Sequence, residues 1–473
     1  MRDRDFVGDF DDQHPGKRLG HQLHGRLGQR RLNRLVQRGN VAALRCLEID
    51  IDGLLLGLCW GGREPGGGQQ SQKGGAVSYH ETRLVRGLMT WAGLGTPVQQ
   101  HFCYGCRILE LEEILQSLTI RKIRARAVNV PLAKPHPTAG GNVVSAPLVL
   151  IDLETEQGVT GRTYLFCYTG FAMAPVVSLV ESLGALVVGD ALAPLEINRK
   201  LLGRLRLLGP QGLSGMAVAG IDMAAWDALA VAQGMPLARF LGGNPGSVPA
   251  YHSCGMGGEK GAAEDAEETV KLGFGAIKYK IGYGTVGGDL AVFAAARKAV
   301  GDKLKILVDY NQSLDVTEAI GRARALDGEG LVWIEEPTTA DDYDGHARIA
   351  AAAATPIQIG ENMWGPTDFA KAIVAGASDH IMLDVMKIGG VTGWMKAAAL
   401  AEAHGLRVSS HLFPEVSAQL LSVTKTAHYL EYQDWVAPVL AEPLQVVEGL
   451  ARAGTKPGTG VTWNEENIAR WLC

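Results

Sequence analysis

Lys305-Ile306-Leu307-Val308-Asp309, Leu331-Val332-Trp333-Ile334-Glu335 and Ile357-Gln358-Ile359-Gly360-Glu361 follow one another within residues 305–361. Each is a short apolar run closed by a carboxylate, and both steps between the carboxylates are 26 residues long. One strand-plus-helix unit of a parallel barrel has about this length, and catalytic residues of such barrels sit at the C-terminal ends of strands. Lys278 and Lys280 lie about one step earlier, Asp384 and His411 about one and two steps later. The ladder reads as one metal site flanked by two different bases.

Around it, from residue 246 to 443, short β-rich runs alternate with Ala-rich helical stretches. Strands are expected at Ala250–Cys254, Ala276–Ile281, Ile306–Tyr310, Val332–Glu335, Ile357–Gly360, Ile381–Val385 and Val408–His411, with an eighth near Val436–Leu440. Helices are expected at Ala262–Lys271, Leu290–Val300, Val316–Leu326, Asp368–Ala375 and Gly393–Ala403. Such alternation implies a parallel sheet with right-handed crossovers, and eight units close into a barrel. Residues 116–245 read as an α+β unit: strands at Ile120–Val130 and Ala146–Leu153, helices from about Met173 to Leu186 and from Ser214 to about Val231. Residues 444–473 are left to return to that unit.

Residues 1–115 differ in kind. They hold 13 Arg against 2 Lys, whereas the remainder holds 15 of each. Arg-, Gly- and Leu-rich sequence of this type is what GC-rich DNA yields outside its coding frame. The leader is therefore expected to be unstructured or the product of a misassigned start, with the true start near Leu115. A native peptide from residues 1–80 in mass spectrometry would sink that expectation. Cys103 and Cys106, also in this leader, supply two ligands where a zinc site needs four.

The whole chain is 473 residues with 47% hydrophobic and 20% charged residues, a formal charge of −5 and no basic stripe, which argues against nucleic acid as a partner. The apolar stretches, such as Met173 to Gly184, are too short to span a bilayer, so no membrane association is expected. Seven irregularly spaced cysteines do not form a disulfide framework, and Met1 is not followed by a secretory h-region. A cytoplasmic location is expected.

Asp309, Glu335 and Glu361 end successive strands, which lie just under about 5 Å apart in a sheet. Three inward carboxylates at that spacing can share a divalent ion and stay ionised together only with its help. All-oxygen ligation suits Mg²⁺ first and Mn²⁺ second. Lys278 and Lys280 alternate with Tyr279, so both point into the barrel. Their mutual repulsion and burial are expected to lower a lysine pKa towards that of a usable base. Asp384 and His411 are expected to form a hydrogen-bonded dyad, the carboxylate fixing the imidazole tautomer. Glu431, among other acids, is expected to stay protonated and to donate to an anionic oxygen. Metal and acid together stabilise an enediolate formed by removing a proton next to a carboxylate. Two bases on opposite faces then give racemisation or epimerisation; a leaving group on the next carbon gives dehydration instead.

The runs Lys278-Tyr279-Lys280-Ile281-Gly282-Tyr283, Val308 to Asp315, Trp333-Ile334-Glu335-Glu336-Pro337, Met386 to Trp394 and Ser409-Ser410-His411-Leu412-Phe413 closely resemble the mandelate racemase group of the enolase superfamily. The resemblance runs from near Ile120 to the C-terminus and leaves out the leader. It implies an α/β fold, a (β/α)7β modified TIM barrel under an α+β capping domain, with one Mg²⁺ per site and often an octameric homo-oligomer. It implies metal ligation by Asp309, Glu335 and Glu361, with Glu336 beside them. Lys280 is implied as the base for the S face, with Lys278 depressing its pKa, and His411 with Asp384 as the base for the R face. Glu431 is implied as the acid on the substrate carboxylate, and Asn311 and Ser253 as substrate contacts. In the implied specificity pocket Val143, Phe166 and Tyr168 keep apolar or aromatic character, whereas Lys134, His136 and Gln433 are polar where the group is more apolar. The expected reaction is Mg²⁺-dependent racemisation or epimerisation of a small 2-hydroxy acid, mandelate or a relative, with acid-sugar dehydration as the alternative.

Overall fold

A computed structural model describes residues 45–51, 54–60, 118–138 and 141–473 of the chain. The described residues fall into two units, divided between Phe102 and Cys103. In the first, β1 (Arg45–Ile51) and β2 (Leu54–Trp60) pair antiparallel, Ile51 opposite Leu54. The sequence reading placed no strands there, although Asp52-Gly53 between the two runs is a favoured hairpin dipeptide. The remaining expectations for the leader, including the Cys103 and Cys106 pair and the position of the true start, lie outside the described residues.

The second unit begins with a three-stranded antiparallel sheet, β3 (Ile120–Thr138), β4 (Gly141–Thr155) and β5 (Thr160–Phe166). The β3–β4 pair is longer than the sequence reading, because pairing resumes after an irregularity between Pro131 and His136 and continues to Thr138 opposite Gly141. Such a break re-aims the end of a strand, and here it carries the hairpin tip onward. The third strand was not anticipated: it is short and starts just after a turn at Gly158, whose φ is +81°. Helices Gly170–Ala185 and Gly212–Ala232 cover the sheet, and Gly161 sits so close to the second that an added Cβ would lie 2.0 Å from the Ala224 carbonyl oxygen.

Helix Gly212–Ala232 is apolar and long enough to cross a membrane, but most of it is buried inside the fold, as a core helix is. Its two acids tie the cap to the rest of the unit. Asp222 Oδ1 accepts from the Thr392 N–H at 2.9 Å, and Asp227 accepts from the N–H groups of Arg162 and Thr459. Burial pushes these carboxyls up to about 7 and about 6 against the effect of those hydrogen bonds.

Eight strands then alternate with seven helices. They are β6 (Ser247–Cys254), β7 (Ala276–Lys280), β8 (Lys305–Asp309), β9 (Ile334–Glu335), β10 (Ile357–Ile359), β11 (His380–Asp384), β12 (Arg407–His411) and β13 (Leu430–Tyr432). Each pairs parallel with its predecessor from β7 to β12, and β13 pairs with β6. Backbone bonds from Ser410 N to Tyr429 O and from His428 N to Val408 O close the ring. The result is a (β/α)7β barrel. The eighth strand lies at Leu430–Tyr432 and not near Val436–Leu440: Pro438, without an N–H to give a ladder, sits in a single 3-10 turn, Ala437–Val439. Helices Tyr343–Ala352 and Pro414–Leu421 complete the crossovers that the sequence reading left open.

The barrel interior is layered as side-chain alternation requires. Tyr251, Ala276, Leu307, Trp333, Met382 and Tyr429 form a buried plug. Two residues further along the same strands stand Ser253, Lys278, Asp309, Glu335, Asp384 and Glu431. The chemistry therefore rests on a packed floor. Beyond the barrel, β14 (Val446–Val447) and β15 (Leu450–Arg452) extend from β6, and helix Glu465–Trp471 reaches β3, where Cys473 N bonds Ala127 O.

Candidate active site

One oxygen from each of Asp309, Glu335 and Glu361 lies within 4.8 Å of the others, and all three residues are buried. Asp309 and Glu335 are register partners across β8 and β9. Glu361 reaches the group because Gly360 before it turns with φ +131°, where an added Cβ would sit 2.4 Å from the Met382 carbonyl oxygen. Only glycine serves there. Glu336 and Asn362 follow two of these carboxylates: Asn362 Nδ2 donates to Glu336 at 2.7 and 3.0 Å, and Lys387 Nζ donates to Asn362 Oδ1 at 2.5 Å. The sequence reading gave neither Asn362 nor Lys387 a role; Asn362 was signalled only by its place after Glu361, and Lys387 by its place in the run Met386 to Trp394.

Lys278 is wholly enclosed, its Nζ 2.8 Å from Glu335, 3.1 Å from Glu431 and 3.8 Å from Asp309. Lys280 Nζ lies 3.1 Å from Asp309 and donates to Asn311 Oδ1 at 2.6 Å. Burial works to lower both lysines, but the surrounding carboxylates win and hold both above the ordinary range, Lys278 well above. Among the protein's own groups the expected depression of a lysine pKa is reversed, because the attraction of three acids exceeds the repulsion of one neighbouring ammonium group; a cation held by those acids would weaken that attraction. Glu431 is corrected in the same way. Burial favours its neutral form, yet Lys278 and His411 bring it down to about 2, so the protein's own charges favour its ionised form.

On the other wall, His411 Nδ1 meets Asp384 Oδ2 at 2.7 Å, and its Nε2 lies 3.5 Å from Glu361 and 3.8 Å from Glu431. Burial lowers the imidazole, while Glu361, Glu431 and Asp384 together raise it above its usual value. Backbone conformation is costly at several of these strand ends: Asn311, Gln312, Glu336, Leu412 and Phe413 all have positive φ. Non-glycine residues hold such angles where the surrounding structure enforces them, and they cluster at functional sites.

The remaining anticipated residues form the outer mouth. Ser253 is the register partner of Lys278 and accepts from Gln433 Nε2 at 3.1 Å. His136 stands opposite Val143 at the hairpin tip, with its ring edge-on to Trp435 at 5.2 Å between centroids. Phe166 lies 5.4 Å from Trp435 and 4.9 Å from Tyr168, whose ring carries Lys387 Nζ at 4.6 Å. Trp435 was missed because it follows the displaced eighth strand. Lys134 does not join the pocket: its Nζ pairs with Asp265 at 2.6 Å on the helix after β6.

Six carboxylates (Asp309, Glu335, Glu336, Glu361, Asp384, Glu431) face four cationic groups (Lys278, Lys280, Lys387 and a protonated His411) in this buried space. Glu335 is pushed well up by burial and by Asp309, Glu361 and Glu431, even with Lys278 on it. The deficit is one of positive charge. Three converging carboxylates supply the ligands a hard divalent cation takes. The donor set therefore fits one.

The comparisons with known proteins agree with this geometry. Residues 120–242 match the mandelate racemase / muconate lactonizing enzyme N-terminal domain, and residues 261–467 match the enolase C-terminal domain-like family. The chain is 33% identical over 280 residues to an L-talarate/galactarate dehydratase of Salmonella typhimurium, spanning 58% of this chain and 70% of that one. It is 32% identical over 358 residues to a 3,6-anhydro-alpha-L-galactonate cycloisomerase of Streptomyces coelicolor, spanning 74% of this chain and 99% of that one. A solved enolase from Bradyrhizobium, complexed with magnesium and mandelic acid, superposes with a TM-score of 0.73 at 44% identity, over 76% of this chain and 99% of that one. The chain belongs to the enolase superfamily, among the enzymes like mandelate racemase and muconate lactonizing enzyme. Within it the relatives act as dehydratases, cycloisomerases and epimerases.

Proposed function

We propose that the protein is a Mg²⁺-dependent racemase or epimerase of a 2-hydroxy acid, mandelate or a close relative, working by proton transfer between two bases. The observation that carries this reading is the placement of Lys280 and His411. Each leans on a different metal-site carboxylate, Lys280 on Asp309 and His411 on Glu361, so the two bases flank the carboxylate cluster from separate walls. A bound divalent cation would be held by Asp309, Glu335 and Glu361, would offset their charge and would draw electron density from the substrate carboxylate, acidifying the neighbouring C–H.

Lys280 Nζ takes or returns the proton on one face of the α-carbon and His411 Nε2 on the other. Asp384 holds the Nδ1–H of His411, which keeps Nε2 turned to the substrate. Lys278 places its ammonium between Glu335 and Glu431 and supplies positive charge where the substrate carboxylate gathers electrons. The substrate carboxylate, a second anion beside Glu431, raises that residue so that it takes up a proton from solvent on binding and donates it in a hydrogen bond to that carboxylate. The Bradyrhizobium enolase solved with mandelic acid supports this substrate class.

Dehydration of an acid sugar is the second reading. It is favoured by several dehydratases among the relatives and by two polar side chains, His136 and Gln433, in the outer mouth. Incubation with Mg²⁺ and either enantiomer of mandelate in D₂O separates the two. Exchange of the α-proton with loss of optical rotation supports racemisation. Absence of exchange, with an aldonate converted to a 2-keto acid, supports the dehydratase.

A further inference from the structure

The cap hairpin is seated on the end of β6. Pro137 O accepts from Met256 N at 2.8 Å, and a Cβ on Gly255 would lie 2.5 Å from the same oxygen. This brings His136, one residue before Pro137, over the mouth beside Trp435. From the barrel, Gln433 follows β13, faces inward like Glu431 two residues earlier, and is fixed by its bond to Ser253. Both side chains are more than nine-tenths buried, and in each a polar atom has no partner among the described residues: His136 Nε2 and Gln433 Oε1. Buried polar atoms are almost always satisfied, and those left open at a site mark where a ligand completes the pairing.

Two further features narrow the ligand. The wall beside these atoms is aromatic, with Trp435, Phe166 and Tyr168 in successive ring contact. The wall also lacks a free cation among the described residues. Lys134 is paired with Asp265, the Lys387 charge is engaged by the carboxylates of Glu336 and Glu361 behind its bond to Asn362, and His136 is held neutral, down to about 3, chiefly by burial and then by Lys280. A second carboxylate, as in galactarate, would be desolvated here without a counter-charge.

We infer that the substrate is a monocarboxylic 2-hydroxy acid with an aromatic body bearing a ring hydroxyl, a hydroxymandelate in chemical class. The hydroxyl donates to Gln433 Oε1 and accepts from the Nε2–H of neutral His136. This rests on the proposed proton-transfer reading, whose substrate it specifies.

Calorimetric titration of the Mg²⁺-loaded full chain tests it, with racemic mandelate, 3-hydroxymandelate, 4-hydroxymandelate, D-gluconate and galactarate. Racemic ligands keep composition constant during any turnover. One of the hydroxymandelates is expected to bind about tenfold more tightly than mandelate, the scale of one neutral hydrogen bond to a buried group. Gln433→Met, which keeps shape and removes the acceptor, and His136→Phe, which keeps the ring contact with Trp435, should each shrink that preference. Equal binding of mandelate and both hydroxymandelates, or tightest binding of gluconate or galactarate, would overturn the inference. α-Proton exchange on the same ligands keeps the two claims apart. A hydroxymandelate preference in binding without exchange contradicts the reaction and leaves the ligand class standing; equal exchange of all three mandelates does the reverse.

Discussion

Asp384 and His411 are register partners on adjacent parallel strands, and their side chains meet at 2.7 Å, Oδ2 to Nδ1. The other oxygen of Asp384 accepts from the backbone N–H groups of Met386 and Lys387 at 2.8 and 2.9 Å. The carboxylate is thus clamped on one side, and the imidazole is oriented by what remains.

That clamp makes Asp384→Asn informative. The Asn oxygen must still face the two backbone donors, so its NH₂ turns towards His411 Nδ1. The imidazole then carries its proton on Nε2 and cannot accept another there. Exchange through His411 should fall on the order of 10³- to 10⁴-fold, the scale seen for a wrong tautomer in catalytic dyads. Far-UV circular dichroism should be unchanged. Retention of near wild-type exchange would show that the dyad does not set the tautomer.

Metal binding should appear in thermal stability. Mg²⁺ at one hundred times its dissociation constant stabilises by about 2.7 kcal/mol if it binds only the folded chain. Differential scanning calorimetry should show Tm rising with Mg²⁺ and returning with EDTA. Glu335→Gln removes the carboxylate that burial and three neighbouring acids push well up, so its metal-free Tm should equal or exceed that of the wild type while its response to Mg²⁺ is weakened. A mutant that is less stable without metal and responds normally would contradict the assigned ligand.

The buried acids of helix Gly212–Ala232 predict a pH effect on stability. Asp222 and Asp227 are raised to about 7 and about 6 in the folded chain, above their values when unfolded. Their contribution is therefore fully present below the unfolded pKa and is lost as pH rises through the folded values. His136 and His428, both lowered to about 3, act in the opposite sense up to their unfolded pKa. The clean readout is a difference: Asp222→Asn, with the Asn198 amide that donates to Asp222 Oδ2 at 3.4 Å free to reorient, should gain Tm relative to wild type as pH is raised from 5 to 8. A difference that stays flat or shrinks over that range would mean Asp222 is ionised throughout.

Much of the barrel and its residues was legible because chemistry and period coincide there. Asp309, Glu335, Asp384, His411 and Glu431 each end a strand or lie within one, and a period of about 26 residues is visible without a structure. The strand before Trp435 was misplaced because Leu430–Tyr432 is only three residues long and is outweighed by the more apolar run beyond it. Charge states were the least legible. Lys278 and Lys280 are close in sequence, so their repulsion is easy to foresee. The carboxylates that overcome it come from β8, β9 and β13, 29 to 153 residues away, and only the folded geometry shows that they win. Lys134 and His136, two residues apart on one hairpin, likewise part company in space: one reaches Asp265, the other the mouth.

The central claim is that Lys280 and His411 serve opposite faces of one carbon. It is tested most directly by NMR of α-deuterium incorporation in D₂O, starting from each pure enantiomer of mandelate or hydroxymandelate, with His411→Asn and Lys280→Met beside the wild type. The expected result is complementary: His411→Asn loses exchange from the R enantiomer by on the order of 10²-fold or more and keeps it from S, and Lys280→Met does the converse. Equal loss from both enantiomers in both variants would contradict the two-base account.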